Sequence, residues 1–177
     1  MKVRCNRCWA AFLLLGALLA LSSTRSRAET ARHWPHFSRA QSQREGYGGV
    51  VRAAQYLLRA HGYQVVADGM IGAQTQSAIK GFQRSRRLRA SGVLTDATWE
   101  RLVVPVRRGS RGQALRGAQL LLSLAGYDVK QDGIFGRGTE AAVRGFQASH
   151  GLPVDGVVGA YTWCALSEGT ASSTIRE

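Results

Sequence analysis

Residues 119–147 read QLLLSLAGYDVKQDGIFGRGTEAAVRGFQ, and residues 55–83 read QYLLRAHGYQVVADGMIGAQTQSAIKGFQ. Laid over one another without a gap, the two stretches share Gln, Gly-Tyr, Asp-Gly, Gly, Thr and Gly-Phe-Gln at a constant offset of 64 residues. Carried outward, residues 51–102 and 115–166 agree at 23 of 52 positions, ending on matched Thr-Trp and Leu. That period exceeds the roughly 20–50 residues of solenoid repeats, so each copy is expected to be a small domain. The chain is a tandem duplication.

Hydrophobic spacing within each copy predicts three helices. Val51, Ala54 and Leu58 recur at i, i+3, i+7, and Leu115, Ala118 and Leu122 repeat the pattern. Gly62 and Gly126 follow as stop signals, because glycine accepts the left-handed conformation that ends a helix. Thr75, Ala78, Ile79 and Phe82 share one face of a second helix, as do Thr139, Ala142, Val143 and Phe146. Trp99 with Leu102, and Trp163 with Leu166, mark a short third helix. Asp68-Gly69, Asp132-Gly133 and Asp155-Gly156 are turn dipeptides, in which Asp bonds nearby amides and Gly supplies positive φ. The expected fold class is all-α: two tandem three-helix bundles, 47–104 and 108–168. A unit of about 60 residues is marginally stable alone, so the two are expected to pack together.

The ends read differently. Lys2, Arg4 and Arg7 precede the apolar run from Trp9 to Leu21, which is shorter than the roughly 17–25 residues of a spanning helix. Ser26-Arg27-Ala28 closes the segment with small residues, so 1–28 reads as a secretory signal peptide, with no membrane association after cleavage. Residues 29–46 hold Trp34-Pro35 but little periodicity and read as a lead-in arm. The tail 169–177 is small and polar and is expected to fray. Of three cysteines, Cys5 and Cys8 would leave with the signal, so Cys164 stands alone and a disulfide framework is excluded.

The 177 residues carry 24 Lys and Arg against 11 Asp and Glu, a net charge of +13. Lys2, Arg4, Arg7, Arg25 and Arg27 lie in the proposed signal, leaving +8 on an exported chain. Such a surplus points to an anionic partner. No helix-turn-helix, RNA-recognition or zinc-finger pattern accompanies it, which turns the reading away from nucleic acid. His33-x-x-His36 is the only close histidine pair and sits beside Pro35, short of the three ligands a catalytic zinc requires. No nucleophile elbow or Cys-His-Asn set is present, and no cofactor motif is found. Asp68, Asp132, Asp155 and Glu140 offer carboxylates, but turns and a helix start account for them without catalysis.

The second copy, through Gly126-Tyr127, Asp132-Gly133-Ile134-Phe135-Gly136, Phe146-Gln147, Asp155-Gly156-Val157-Val158-Gly159 and Thr162-Trp163, resembles the peptidoglycan-binding domain family of cell-wall proteins. The first copy departs from that pattern. Ile71 stands for the aromatic before Gly72, Arg87 for the glycine before Leu88, and Ser91-Gly92-Val93-Leu94-Thr95 lacks the Asp and closing Gly of the second turn. The resemblance implies three-helix bundles and non-catalytic attachment to peptidoglycan or an associated anionic wall polymer, outside the cytoplasm. It places ligand contacts at Tyr127, Asp132, Gly133, Phe135, Gly136, Asp155 and Gly156, and in the first copy at Tyr63, Asp68 and Gly69. In such families the domain usually accompanies a hydrolase, and the two copies are expected to leave no room here for a catalytic domain. The alternatives are a wall hydrolase with an unrecognised site and a general secreted polyanion binder.

Overall fold

The computed structural model describes residues 34–36 and 47–173. The proposed signal, most of the arm and residues 174–177 lie outside the described residues. Among the described residues six helices follow in order: α1 Gly48–Ala60, α2 Ala73–Ser85, α3 Asp96–Leu102, α4 Gln113–Leu124, α5 Arg137–Ser149 and α6 Ala160–Ser173. The fold is all-α; between the helices, isolated antiparallel bridges join Val106 to Val158 and Arg111 to Ile134.

The periodic residues form the core as expected. Val51, Ala54 and Leu58 of α1 are buried, as are Leu115, Ala118 and Leu122 of α4. α1 and α4 both end with Schellman closures: Tyr63 N–H donates to the Leu58 carbonyl and Gly62 N–H to that of Arg59, and Tyr127 and Gly126 repeat the pair on Leu122 and Ser123. Gly62 and Gly126 take φ of +88° and +89°, the region that costs a side-chain-bearing residue energy.

Among the described residues the two copies lie in one compact body and share a single core. Its centre is the antiparallel pair α1 and α4, in which Gly49 approaches Leu124 while Gly117 meets Ala53 and Tyr56. A Cβ on Gly117 would stand 3.2 Å from the Ala53 carbonyl oxygen and 3.3 Å from Tyr56 Cβ. Ala53 and Gly117 are the same position of the repeat, so the copies meet through equivalent small residues. Each copy thereby covers the apolar face that its partner cannot bury alone.

Two expectations at the ends are corrected. The third helix of the second copy is not short, and the tail does not fray at Glu168: α6 continues to Ser173. Buried Leu166 and Ser167 anchor its middle, and Ser167 Oγ donates back to the Trp163 carbonyl at 2.8 Å. The arm is also more than a lead-in. Trp34 is fully buried, stacked on Trp99 with ring centroids 5.6 Å apart and planes 9° from parallel. Its backbone N–H donates to Asp96 Oδ1 at 2.9 Å, His36 Nε2 lies 3.1 Å from the same oxygen, and the Trp99 indole donates to the Pro35 carbonyl at 2.8 Å. In the second copy the inter-copy link does the same work, for the Trp163 indole donates to the Val104 carbonyl at 3.0 Å.

Candidate functional site

The turns that carry the expected ligand residues are built by a buried glutamine. In the second copy, Gln119 on α4 sends its amide nitrogen to Asp132 Oδ1 at 3.0 Å, the Ile134 carbonyl at 3.2 Å and Thr139 Oγ1 at 3.5 Å. Its oxygen accepts the Gly133 N–H at 2.8 Å, and Asp132 Oδ1 also accepts the Ile134 N–H at 2.8 Å. One side chain thus holds the turn closed and pins it to the first turn of the next helix. Gln119 is wholly buried, so every polar atom it carries must find a protein partner, and the turn supplies them.

The same clamp occurs four times. Gln55 binds Asp68, the Met70 carbonyl and Thr75, and accepts from Gly69. Gln83 binds Ser91, the Val93 carbonyl and Thr98, and accepts from Gly92. Gln147 binds Asp155, the Val157 carbonyl and Thr162, and accepts from Gly156. Each copy therefore contains two versions of one Gln, Asp-Gly and Thr device, and only the Gln83 version has Ser where the others have Asp. The signal was in the sequence: Gln55, Gly69 and Thr75 repeat in spacing as Gln119, Gly133 and Thr139.

This assigns the expected site residues different roles. Gly69, Gly133 and Gly156 are buried with φ of +84°, +74° and +73°, and serve as the hinge of each turn. Phe135, expected at the ligand, is 2 % exposed and packs in the core. Tyr63 and Tyr127 are half-buried, their rings edge-on to Phe82 and Phe146 at 6.2 and 6.1 Å. Each ring lies over a glycine, Gly81 or Gly145, where a Cβ would stand 3.0 or 3.1 Å from the ring, and each hydroxyl meets Ser85 or Ser149. These tyrosines pack the joint between two helices. Asp68, Asp132, Asp155 and Gly136 remain at the surface.

The surface of the clamped turn also exposes an apolar side chain. Ile134 is 44 % exposed and its counterpart Met70 58 %, each directly after Asp-Gly. Beside Ile134 the open backbone of Gly136 begins α5, with nothing near the position a Cβ would take.

The carboxylates of the first turns are held in their charged form. The Ile134 N–H and the Gln119 amide lower the pKa of Asp132 below the ordinary 3.8. Partial burial raises that of Asp68, but the Gln55 amide and the Met70 N–H outweigh it and leave it lowered too. Among the described residues no three His, Cys, Asp or Glu come together as a metal cluster, and no helix is long and apolar enough to cross a membrane.

Two segments, 47–102 and 111–166, match the family model of the peptidoglycan binding domain, together more than half of the chain. The chain belongs to the peptidoglycan-binding domain family. It carries two of these domains in tandem, each coinciding with one copy of the repeat and one set of three helices. The chain is 44 % identical over 66 residues to a spore cortex-lytic enzyme of Bacillus cereus, covering 37 % of this chain and 26 % of that protein. It is 43 % identical over 60 residues to a zinc D-Ala-D-Ala carboxypeptidase of Streptomyces albus G, covering 31 % of this chain and 23 % of the relative. The chain thus spans about a quarter of the length of these curated relatives. A crystal structure of a peptidoglycan-binding protein from Clostridioides difficile, in complex with glutamine hydroxamate, is 40 % identical. That match covers 38 % of this chain and 43 % of the other, with a TM-score of 0.38.

Proposed function

We propose that this protein is an exported, non-catalytic cell-wall protein whose two domains hold it to peptidoglycan. The tandem family match over both copies carries the reading. In each domain the buried polar groups are spent on closing turns: Gln55, Gln83, Gln119 and Gln147 each bind a turn, and Asp68, Asp132 and Asp155 complete it. A carboxylate already accepting two or more hydrogen bonds and lowered in pKa is a poor general acid, which favours anchoring over hydrolysis.

The contact surface in this reading is the rim of the clamped turn. In the second domain Asp132, Ile134 and Gly136 present a carboxylate, an apolar side chain and open backbone, suited to a sugar or peptide-stem segment with polar edges and an apolar face. Asp68, Met70 and Gly72 form the counterpart in the first domain. Two weak sites on one rigid body raise retention by roughly 10²–10⁴ when both engage the same mesh.

Co-sedimentation with sacculi stripped of anionic polymer tests the reading. The protein is expected in the pellet at moderate salt, with no soluble muropeptide released over a range of pH and added metal. A protein left in the supernatant would contradict the anchoring role, and release of muropeptides would replace it with the hydrolase alternative.

A further inference from the structure

The two domains differ most at one end of the first. Between 47 and 104, eight Arg and Lys face three carboxylates, a net +5; between 108 and 168, six face five, a net +1. The excess is concentrated at Arg59, Arg84, Arg86, Arg87 and Arg89, all exposed, whose counterparts are Ser123, Ala148, His150, Gly151 and Pro153. None of the five forms an ion pair among the described residues. The second domain, by contrast, pairs Glu140 with Arg108 at 3.5 Å and Arg144 at 3.4 Å, and Gln76 and Lys80 stand in the first where Glu140 and Arg144 would be.

The backbone singles out the same place. Arg87 is the one residue other than glycine with positive φ among the described residues, at +57°, where Gly151 takes +66°. An arginine therefore holds a helix-ending position that the second domain fills with the unstrained residue. Next to it, Arg89, Ser91 and Thr95 with Leu88, Val93 and Ala97 line an open cleft of about 310 Å³. Arg89 and Ser91 replace Pro153 and Asp155, so a turn that is acidic in one domain is basic in the other. Arg86 is held in place, its guanidinium 5.3 Å over the Phe82 ring and 3.3 Å from His61 Nδ1, while His61 Nε2 donates to the Leu102 carbonyl at 2.8 Å.

We propose that this arginine face, with the Arg89 cleft at its edge, binds the phosphate groups of a phosphodiester-linked wall polymer, separately from the peptidoglycan contacts. Guanidinium forks match phosphate oxygens in pairs. Stem-peptide carboxylates stand beside amines and offset one another, whereas a phosphodiester chain repeats an uncompensated negative charge along its length. Five exposed arginines that form no ion pair among the described residues complement the second polymer. The inference rests on the wall-binding reading and adds a second ligand to it.

The test compares retention of the chain on intact walls with retention on the same walls after hydrofluoric acid has removed phosphodiester polymers. Wild-type affinity is expected to fall on the order of tenfold on stripping, since a focused basic face raises binding of a polyanion by about that factor or more. The variant Arg84→Gln/Arg86→Gln/Arg87→Gly/Arg89→Gln should bind both walls equally, at the wild-type level for stripped walls. Its fold is checked by thermal melting, with Arg87→Gly removing rather than adding strain. Unchanged wild-type binding on stripping, or a variant that keeps its preference for intact walls, would overturn the proposal. A variant that also loses stripped walls would merge the arginines with the peptidoglycan site and overturn the separate face. Soluble poly(glycerol phosphate) should compete on intact walls while poly-glutamate of equal charge should not; equal competition would overturn the choice of phosphate. Wild type bound to intact walls but absent from stripped ones would overturn the peptidoglycan reading alone.

Discussion

The two domains share a fold and 23 of 52 aligned residues, yet their surfaces have diverged. In the second, Gly151, Asp155 and Gly159 close the turns without strain, and Glu140 ties its arginines. In the first, Arg87, Ser91 and Thr95 occupy those places, and Arg59, Arg84, Arg86, Arg87 and Arg89 form no ion pair among the described residues. The Gln, Gly and Thr of each clamp are unchanged between them. The difference teaches that Gln, Gly and Thr at the clamp fix the fold, while the residues around the turn are free to change the ligand.

The largest effect should come from the arm, which the first domain uses as its outer wall. Trp34→Ala removes a fully buried ring from Trp99 and is expected to cost about 3–5 kcal/mol in urea unfolding. A loss below about 1 kcal/mol would mean that the first domain is complete without the arm.

Next come the clamps. Gln147→Ala leaves the buried Gly156 N–H without its acceptor and takes one hydrogen bond each from the Thr162 hydroxyl and the Asp155 carboxylate, and should cost about 2–4 kcal/mol. Gln83→Ala takes its bond from the neutral Ser91 instead and should cost measurably less. Equal losses would show that the carboxylate adds nothing to the clamp.

These two predictions also show what the sequence could and could not disclose. The helices were legible because Val51, Ala54, Leu58 and their counterparts repeat at helical spacing and the repeat appears twice. The Asp-Gly turns are legible as turns, but the clamp that holds them is not, because nothing local reveals that Gln119, thirteen residues away, reaches back to Asp132. The burial of Phe135 is hidden for a related reason: an aromatic in a loop looks available until the core is seen to close over it. Ile134 is the opposite case, an apolar residue that the clamped backbone turns outward. Trp34 contacts α3 across more than sixty residues of chain, a separation at which periodicity carries no information.

A smaller effect is expected from exchanging the helix-ending residues. Arg87→Gly should stabilise the chain by about 1 kcal/mol, and Gly151→Arg should destabilise it by about 1–2 kcal/mol, read as shifts of the unfolding midpoint. If Arg87→Gly were destabilising, contacts made by the arginine side chain would outweigh its backbone strain.

The smallest concerns acid. Asp68 and Asp132 have folded pKa values below their ordinary one, so their charged forms stabilise the fold; that stabilisation is present above the ordinary carboxylate pKa and is lost as pH falls through the lowered values. The unfolding midpoint should therefore drop below about pH 4, and drop less steeply in Asp68→Asn/Asp132→Asn. An unaltered acid slope in that variant would assign the loss to other carboxylates.

The most direct measurement of the central claim is the retained fraction of the chain on polymer-stripped sacculi as sodium chloride is raised toward 1 M. Charge attraction is screened over about 3 Å at that ionic strength, while contacts at the turn rims are not. The account predicts saturable retention that survives the titration with a modest loss. Retention that falls to background as salt rises would show that net charge alone holds this protein to the wall.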